Sequence, residues 1–358
     1  MSGANAPARE RPPERVLIIK PSALGDVVTA LPVLRALRRT FPAAHLSWLV
    51  STACSPLLER DVDLDEIVPF ERRRLGRAWR SPDAAGALLE LIRRLRRARY
   101  DWVIDMQGLF RSGFLAVTTG ARIRAGFATA REGAWMFYTH RLRPTRRHTV
   151  DRNMELAGVL GLDARREDMT LTVAPEGQAF AGGFLSRSEV AGRPLVALVP
   201  PTRWPTKLYP TRHWRALAGM LGGGAALAVM GTGADVELCA AVAEAGGAHA
   251  VNLAGQTSIP EMVGLIAAAD CVVCCDSAAM HIAQAVGTEV VALIGPTRPE
   301  RTGPLLERQY ITAPVPCQGC LRRRCEHVTC MQEIDPAVVA ERVERALADG
   351  RQPCRTAT

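Results

Sequence analysis

The feature that most constrains the fold of this chain is an alternation of short apolar runs with amphipathic stretches, which starts near residue 16. The runs at 16–19, 46–50, 67–69 and 102–105 have the length of buried strands. Segment 84–97 carries its leucines on one side at helical spacing. Parallel strands are joined by helical crossovers, so the alternation predicts an α/β fold with parallel sheets.

The same alternation restarts at residue 195, after a weakly patterned segment. A chain of 358 residues exceeds what one hydrophobic core usually organises, so we expect two domains. The stretch 174–193, rich in Gly, Ser and Ala, is interpreted as the crossing between them. The predicted organisation is a disordered N-terminus at 1–14, an α/β domain at 15–180, a second at 190–335, and a C-terminal helix and tail at 336–358.

Composition places the chain among soluble globular proteins, with 48% hydrophobic and 23% charged residues. Residues 1–14 lack the apolar core of a signal peptide, and the first apolar run is too short to cross a bilayer. We therefore expect a cytoplasmic protein. Its ten cysteines then argue for burial or metal binding rather than a disulfide framework, because cytosolic thiols are kept reduced.

Positive charge is concentrated in the N-terminal half. Between residues 71 and 150, 18 arginines stand against six acidic residues, an excess of 12 positive charges. This excess indicates an anionic partner, for which nucleic acid, an anionic membrane surface and a phosphorylated acceptor all qualify. The alternative is a solvated arginine-rich face without a partner.

Ligands of open parallel sheets bind where strands end and helices begin. The first predicted strand ends at Lys20, and a short loop leads to Gly25 and Asp26 at the start of a helix predicted over 26–39. Asp26 could cap that helix through backbone N–H groups. It could equally face a ligand and remove a proton from a hydroxyl group. The residues alone leave both interpretations open.

The second half repeats this layout. The loop after the strand at 195–199 carries Thr202, Thr206 and Lys207, which suit a diphosphate, although Lys207 could be an ordinary exposed lysine. The strand 271–275 is followed by Asp276 and Ser277 at a helix start, where the amides favour phosphate or the side chains act as N-caps. Gly-Pro-Thr at 295–297 repeats the pattern one strand later, whereas Gly231-Thr-Gly233 fails the dinucleotide fingerprint.

Four cysteines lie within 14 positions near the C-terminus, at Cys317, Cys320, Cys325 and Cys330. A four-thiolate set suits tetrahedral zinc, although the last two gaps are longer than in common zinc motifs. Ordinary thiols and a redox or disulfide role are the alternatives. Basic charge with clustered cysteines also raises a remote alternative, a zinc-containing nucleic-acid-binding protein. The basic region lacks interleaved aromatic residues, so we expect no nucleic-acid partner.

Taken together, these segments resemble the bacterial ADP-heptose:lipopolysaccharide heptosyltransferases. The resemblance rests on Val16-Leu-Ile-Ile-Lys-Pro-Ser-Ala-Leu-Gly-Asp26, Tyr100-Asp-Trp-Val-Ile-Asp-Met-Gln-Gly-Leu109, Trp204-Pro-Thr-Lys207, Asp276-Ser-Ala-Ala-Met-His281 and Gly295-Pro-Thr-Arg-Pro299, in the family's order. The turn at 105–109 and the segment 128–133 look most like heptosyltransferase I. The resemblance implies a GT-B fold, two Rossmann-like domains whose parallel sheets face a cleft, and inverting transfer of heptose from ADP-heptose to the Kdo region of lipid A at the inner face of the inner membrane.

The resemblance also implies roles for matching residues. Asp26 would be the general base and Lys207 would neutralise the diphosphate leaving group, with no cofactor needed for catalysis. The implied donor-binding residues are Thr202, Thr206, Lys207, Asp235, Asp276, Ser277, Ala278, Met280 and His281. The implied acceptor-binding residues are Ser22, Gly25, Gln107, Arg111 and Arg131. This chain departs from the family at Ala278, where glycine is usual, and in the four-cysteine segment. A GT-B enzyme using another nucleotide sugar is the alternative function.

Overall fold

The computed structural model describes residues 12–77 and 79–350. The chain divides into two compact units, the first ending at Thr172 and the second beginning at Val173. Each unit contains one six-stranded sheet in which all pairings are parallel. The predicted α/β class is confirmed.

The first sheet has the order β3-β2-β1-β4-β5-β6, so its first strand lies at the centre. Its strands are β1 Arg15–Ile19, β2 His45–Ser51, β3 Glu66–Phe70, β4 Trp102–Asp105, β5 Ile123–Phe127 and β6 His140–Leu142. Its helices are α1 Leu24–Val28, α2 Leu31–Thr40, α3 Arg72–Leu75, α4 Pro82–Arg97, α5 Phe110–Thr118 and α6 Thr149–Val159. The change of direction on either side of β1 creates a topological switch point, where α/β sheets bind ligands.

The second sheet repeats this order as β9-β8-β7-β10-β11-β12. Its strands are β7 Leu195–Val199, β8 Ala226–Val229, β9 Ala250–Asn252, β10 Cys271–Cys275, β11 Glu289–Leu293 and β12 Tyr310–Ile311. Its helices are α7 Pro175–Leu185, α8 Thr211–Leu221, α9 Val236–Gly246, α10 Ile259–Ala268, α11 Ala278–Ala285, α12 Pro299–Thr302, α13 Thr329–Gln332 and α14 Pro336–Gly350.

The central strands β1 and β10 are buried along their length, apart from Arg15 at the start of β1. Every residue from Val16 to Ile19 is 0% exposed, and so is each residue of Cys271–Cys275. Strands covered by helices on both faces need apolar residues at every position, which is why these runs were visible as unbroken apolar segments. None of the described helices is long and apolar enough to cross a membrane.

Two predicted elements differ from the structure. The helix expected over 26–39 is two helices, Leu24–Val28 and Leu31–Thr40, because Pro32 favours the first turn of a helix and disrupts its interior. The stretch expected to be a crossing at 174–193 contains the helix α7. This helix packs on α10, and a Cβ atom on Gly264 would lie 2.1 Å from the Gly177 carbonyl oxygen. The glycines there permit close helix packing within the second unit.

Candidate active site

The loop after β1 holds Asp26 at the carboxyl edge of the first sheet. One carboxylate oxygen of Asp26, Oδ2, accepts a hydrogen bond from the Ala23 N–H at 3.0 Å. The other, Oδ1, lies 3.5 Å from the Lys20 ammonium, and 46% of the Asp26 side chain is exposed. The capping interpretation is therefore confirmed for one oxygen, and the carboxylate is still accessible from outside. The catalytic role stays a prediction. Ser22 and Gly25 lie beside it in the same loop and first helical turn.

The turn after β4 is organised by a buried carboxylate. Asp105 is 0% exposed, and its Oδ1 accepts hydrogen bonds from the N–H groups of Gln107 at 2.8 Å and Gly108 at 3.2 Å. The Tyr138 hydroxyl donates to Oδ2 at 2.6 Å. Burial raises the pKa of Asp105, which these donors partly oppose. The backbone of the turn that carries Gln107 is thus held by hydrogen bonds to a carboxylate that does not reach solvent.

Two of the predicted acceptor-binding residues meet at this turn. The N–H of Arg131 donates to the Gly108 carbonyl at 2.9 Å, which joins the loop after β5 to the loop after β4. The Gln107 side-chain oxygen is buried and has no hydrogen-bond partner among the described residues. Arg111 stands in the first turn of α5 and is exposed, as is Arg131. An amide and two cations therefore lie on the segments that follow β4 and β5.

The arginine-rich stretch is divided between two edges of the first sheet. Residues 72–77 and the exposed Trp79 follow β3 at the carboxyl edge, as Arg111 and Arg131 follow β4 and β5. Three other arginines lie at the opposite edge, because they stand at the end of α4 or just after it, before β4 begins: Arg96, Arg97 and Arg99. They line an open pocket of about 630 Å³. Only part of the positive charge can therefore serve a ligand bound near Asp26.

In the second unit, the ends of β7 and β10 are joined by a buried ion pair. The Lys207 ammonium lies 2.8 Å from Asp276 Oδ2, and these side chains are 14% and 9% exposed. Thr297 donates its hydroxyl to the same Asp276 oxygen, and Thr202 donates to the Asp276 carbonyl at 3.0 Å. Lys207 is thus held in place by Asp276 rather than being an exposed loop lysine.

The helix α11 starts directly after Asp276. Ser277 occupies its N-cap position, but its hydroxyl makes no capping hydrogen bond. Ala278 is half-buried, His281 is 8% exposed, and Met280 is 1% exposed. The Met280 side chain therefore packs inside the unit, and its role at the donor stays a prediction.

Two further predicted donor residues use their polar groups locally. The Thr206 hydroxyl donates to the Arg322 carbonyl at 2.9 Å, and Thr206 is 3% exposed. Asp235 accepts hydrogen bonds from the Thr232 N–H at 2.9 Å and from the Thr232 hydroxyl at 2.5 Å. Thr206 therefore supports the loop structure, and one oxygen of Asp235 closes a capping turn.

The four clustered cysteines share one cavity of about 140 Å³, which Thr206, Pro296, Arg322, His327 and Val328 complete. The pKa of Cys330 is raised to about 11. Burial is the largest cause, and the neighbouring thiols of Cys317, Cys320 and Cys325 add to it. Within 12–77 and 79–350, however, no group of three or more His, Cys, Asp or Glu side chains is arranged to hold a metal ion. The zinc site stays a prediction.

Lys20 was not among the predicted site residues, although it lies within 3.5 Å of Asp26. It is 6% exposed, and its ammonium donates to the Met106 carbonyl at 3.1 Å. The available sequence signal was a single charged residue closing an apolar strand. Its contact with residue 106 depends on the pairing of β1 with β4, which no local pattern specifies.

The profile described as glycosyltransferase family 9 (heptosyltransferase) matches residues 88–330. This chain belongs to glycosyltransferase family 9. Lipopolysaccharide heptosyltransferase 1 of Salmonella typhimurium is 30% identical over 294 residues, covering 81% of this chain and 90% of that protein. The family assignment makes the chain a glycosyltransferase and confirms the resemblance seen in its motifs.

Solved structures of the family have the same architecture. Escherichia coli ADP-heptose LPS heptosyltransferase II superposes with a TM-score of 0.74 at 26% identity, covering 94% of this chain and 99% of its own. The E. coli heptosyltransferase WaaC with ADP superposes with a TM-score of 0.73 at 25% identity, covering 93% and 99%. These likenesses agree with two parallel six-stranded sheets of the GT-B type.

Proposed function

We propose that this family 9 enzyme transfers heptose from ADP-heptose to the Kdo region of lipopolysaccharide. The proposed acceptor is Kdo attached to lipid A, and the transfer inverts the anomeric configuration. The observation that carries the proposal is the half-exposed carboxylate of Asp26 at the end of β1, in a chain whose relatives are named lipopolysaccharide heptosyltransferases. Donor identity is supported by the structures of E. coli heptosyltransferase WaaC with ADP and with ADP-2-deoxy-2-fluoro heptose.

The proposed reaction is a single displacement. The acceptor hydroxyl attacks the anomeric carbon of heptose from the face opposite ADP, while the carbon–oxygen bond to the diphosphate breaks. Asp26 takes the hydroxyl proton, and the electron pair of the broken bond leaves with ADP. Attack opposite the leaving group inverts the anomeric centre, and one base is sufficient for it.

Donor binding is assigned to the second unit. The Lys207 ammonium and the N-terminal amides of α11 supply positive charge for the departing diphosphate, which needs stabilisation as the bond breaks. Lys207 is preorganised by Asp276, so its charge is in place before the donor arrives. In this proposal protein groups neutralise the leaving group, and no metal ion is assigned a step.

Acceptor binding is assigned to the first unit, with the protein peripheral at the inner face of the inner membrane. Kdo carboxylates and lipid A phosphates are anionic, and Arg111 and Arg131 offer exposed cations beside the Gln107 turn. Arginine binds such groups with paired N–H donors. The arginines within residues 72–77 at the same sheet edge add attraction to an anionic leaflet.

Acceptor binding should depend on salt more strongly than donor binding. Between about 0.1 M and about 1 M salt the screening length falls from about 10 Å to about 3 Å, which weakens exposed charges most. We expect the KM for Kdo-lipid A to rise several-fold and the KM for ADP-heptose to change less, because Lys207 and Asp276 are buried. Steady-state kinetics on both substrates measure this.

A matched pair of variants sharpens the salt experiment. Arg131→Gln should reduce the salt dependence of the acceptor KM, whereas Arg345→Gln, an exposed position on α14 of the second unit, should leave it unchanged. Equal salt sensitivity of both substrates would count against acceptor recognition by exposed arginines.

The proposed activity is tested by incubating the enzyme with ADP-heptose and Kdo-lipid A and following the acceptor mass. Addition of one heptose and release of one ADP is the expected result. The alternative, another nucleotide sugar for a cell-envelope glycan, predicts no mass change here. It also predicts that a different nucleotide sugar, rather than ADP-heptose, raises the Tm.

A structural zinc ion at Cys317, Cys320, Cys325 and Cys330 is proposed on the donor set and the shared cavity. Binding would require the thiols to turn toward one point. We expect about one equivalent of zinc in protein purified without chelators, and loss of zinc in Cys317→Ser/Cys320→Ser but not in Cys239→Ala, a buried cysteine outside the cavity. Folded wild-type protein without metal would contradict the site.

A further inference from the structure

Lysine is almost absent from this chain. Of 45 basic residues, only Lys20 and Lys207 are lysines, and the others are arginines. Both lysines follow the first strand of their unit, and each lies within ion-pair distance of an aspartate that begins or precedes a helix at the same sheet edge. Lys207 has a proposed role at the donor, whereas nothing in the proposed mechanism uses Lys20.

The contacts of Lys20 place a charge where burial makes charge costly. Its side chain is 7% exposed, its own carbonyl accepts the Trp48 indole N–H at 3.2 Å, and its backbone N–H donates to the Leu49 carbonyl at 3.3 Å. The backbone is therefore anchored to β2. The ammonium end then contacts the Met106 carbonyl at 3.1 Å and the Asp26 carboxylate at 3.5 Å. A buried ammonium requires such partners.

These two contacts join the loop after β1 to the turn after β4, the two segments that carry Asp26 and Gln107. Asp26 belongs to the loop after β1, and Met106 belongs to the turn after β4 that presents Gln107. Asp105 holds the amides of that turn from within the sheet, and Lys20 holds its carbonyl. Backbone contacts also hold both groups, through the Ala23 N–H to Asp26 and the Met106 N–H to the Ile19 carbonyl, and Lys20 is the side chain that links the Asp26 carboxylate directly to the turn.

We propose that Lys20 is a positioning residue that fixes the Asp26 carboxylate against the acceptor turn. The proposal rests on the proposed function, in which Asp26 is the base and Gln107 lies in the acceptor site. The ammonium itself exchanges no proton in the reaction. It holds the carboxylate oxygen and the turn at a set separation, so that an acceptor hydroxyl bound at the turn lies within reach of Asp26.

The choice of lysine over arginine has a physical reason. An ammonium is a compact charge with three donors arranged around one atom, so it can contact a carbonyl and a carboxylate in different directions. A guanidinium is planar and larger, and it would separate the two partners. The lysine of the first unit thus bridges two groups in a buried space.

The test is Lys20→Met, which keeps an unbranched apolar stem and removes the ammonium. We expect kcat to fall about 100-fold, the cost of displacing a reacting group by about 1 Å, while the Kd for ADP-heptose stays within about twofold. Lys20→Arg should recover part of the loss. Wild-type kcat in folded Lys20→Met would overturn the proposal.

A double variant separates positioning from general damage. If Lys20 acts through Asp26, adding Lys20→Met to Asp26→Asn should not lower the residual rate further, because the base that Lys20 positions is already absent. Independent, multiplying losses would overturn the proposal. If Asp26→Asn alone keeps full turnover, the assignment of Asp26 as the base fails instead, and if the wild-type enzyme transfers no heptose to Kdo-lipid A, the proposed function fails, which distinguishes these outcomes.

A spectroscopic readout keeps the proposal testable if Lys20→Met does not fold. In the wild-type enzyme with ¹⁵N-lysine, only two side-chain ammonium signals arise from 45 basic residues, and the signal lost in Lys207→Met identifies Lys207. We expect the Lys20 signal to shift in Asp26→Asn and on addition of Kdo-lipid A, and ADP to shift the Lys207 signal alone. A Lys20 signal that shifts neither in Asp26→Asn nor on addition of Kdo-lipid A would overturn the proposal.

Discussion

Replacing Asp26 with asparagine is expected to lower kcat by about 10²- to 10⁴-fold, the usual contribution of a general base, with the Kd for ADP-heptose unchanged. Asparagine keeps an oxygen that can accept the Ala23 N–H, so the capping hydrogen bond survives. It cannot take the acceptor proton. The variant removes the proposed base and the charge that faces Lys20 while it keeps the cap, and heptose transfer to Kdo-lipid A followed by mass measures its effect.

Asp26→Ala completes this experiment because it removes both functions. It should be as inactive as Asp26→Asn and, in addition, lose about 0.5–1.5 kcal/mol of stability with the hydrogen bond from the Ala23 N–H. Glu90→Gln, an exposed carboxylate on α4 of the same unit, should change neither property. Retained turnover in a folded Asp26→Asn enzyme would leave Asp26 as a helix cap and require another base.

Replacing Lys207 with methionine should produce the second large effect. The change removes the cation proposed to meet the diphosphate, and loss of one such preorganised group typically lowers kcat by about 10²- to 10³-fold. It also leaves Asp276 buried and unpaired, which should reduce stability by about 3 kcal/mol, the lower part of the range for a broken buried ion pair. ADP-heptose kinetics and denaturant unfolding measure the two effects.

The two consequences of the Lys207 change can be separated with a second substitution. Lys207→Met/Asp276→Asn removes the unpaired carboxylate, so stability should recover while turnover stays low. A double variant that regains turnover would show that Lys207 serves the fold alone. Arg345→Gln on the exposed face of α14 provides the control for a lost basic charge in the same unit.

The central strands and the location of the site could be predicted from the sequence. Strands such as Leu195–Val199 and Cys271–Cys275 match their predicted bounds, because both faces are buried and every position is apolar. Parallel strands end at one edge, so the polar residues that follow them had to lie together there. The prediction that Lys207 and Asp276 belong to one site needed no more than this.

Other elements depended on tertiary contacts. Strands Ile123–Phe127 and His140–Leu142 lie in a segment that appeared weakly patterned, since the edge strand has no fully buried residue and β5 includes a polar position. The helix Pro175–Leu185 appeared to be a crossing because its glycines look like linker residues. One of them, Gly177, lets α7 approach the backbone of α10, which only the packed helix pair reveals.

By itself, the sequence determined the parallel α/β class, the strand ends and the residue types available there, because burial on two faces and helical periodicity are local properties. Tertiary structure decided which of those residues meet. It paired Lys207 with Asp276, brought Lys20 between Asp26 and Met106, and divided the arginines between opposite sheet edges. The contacts of Lys207 with Asp276 and of Lys20 with Met106 join positions tens of residues apart, and strand order and register, rather than any local pattern, set their distances.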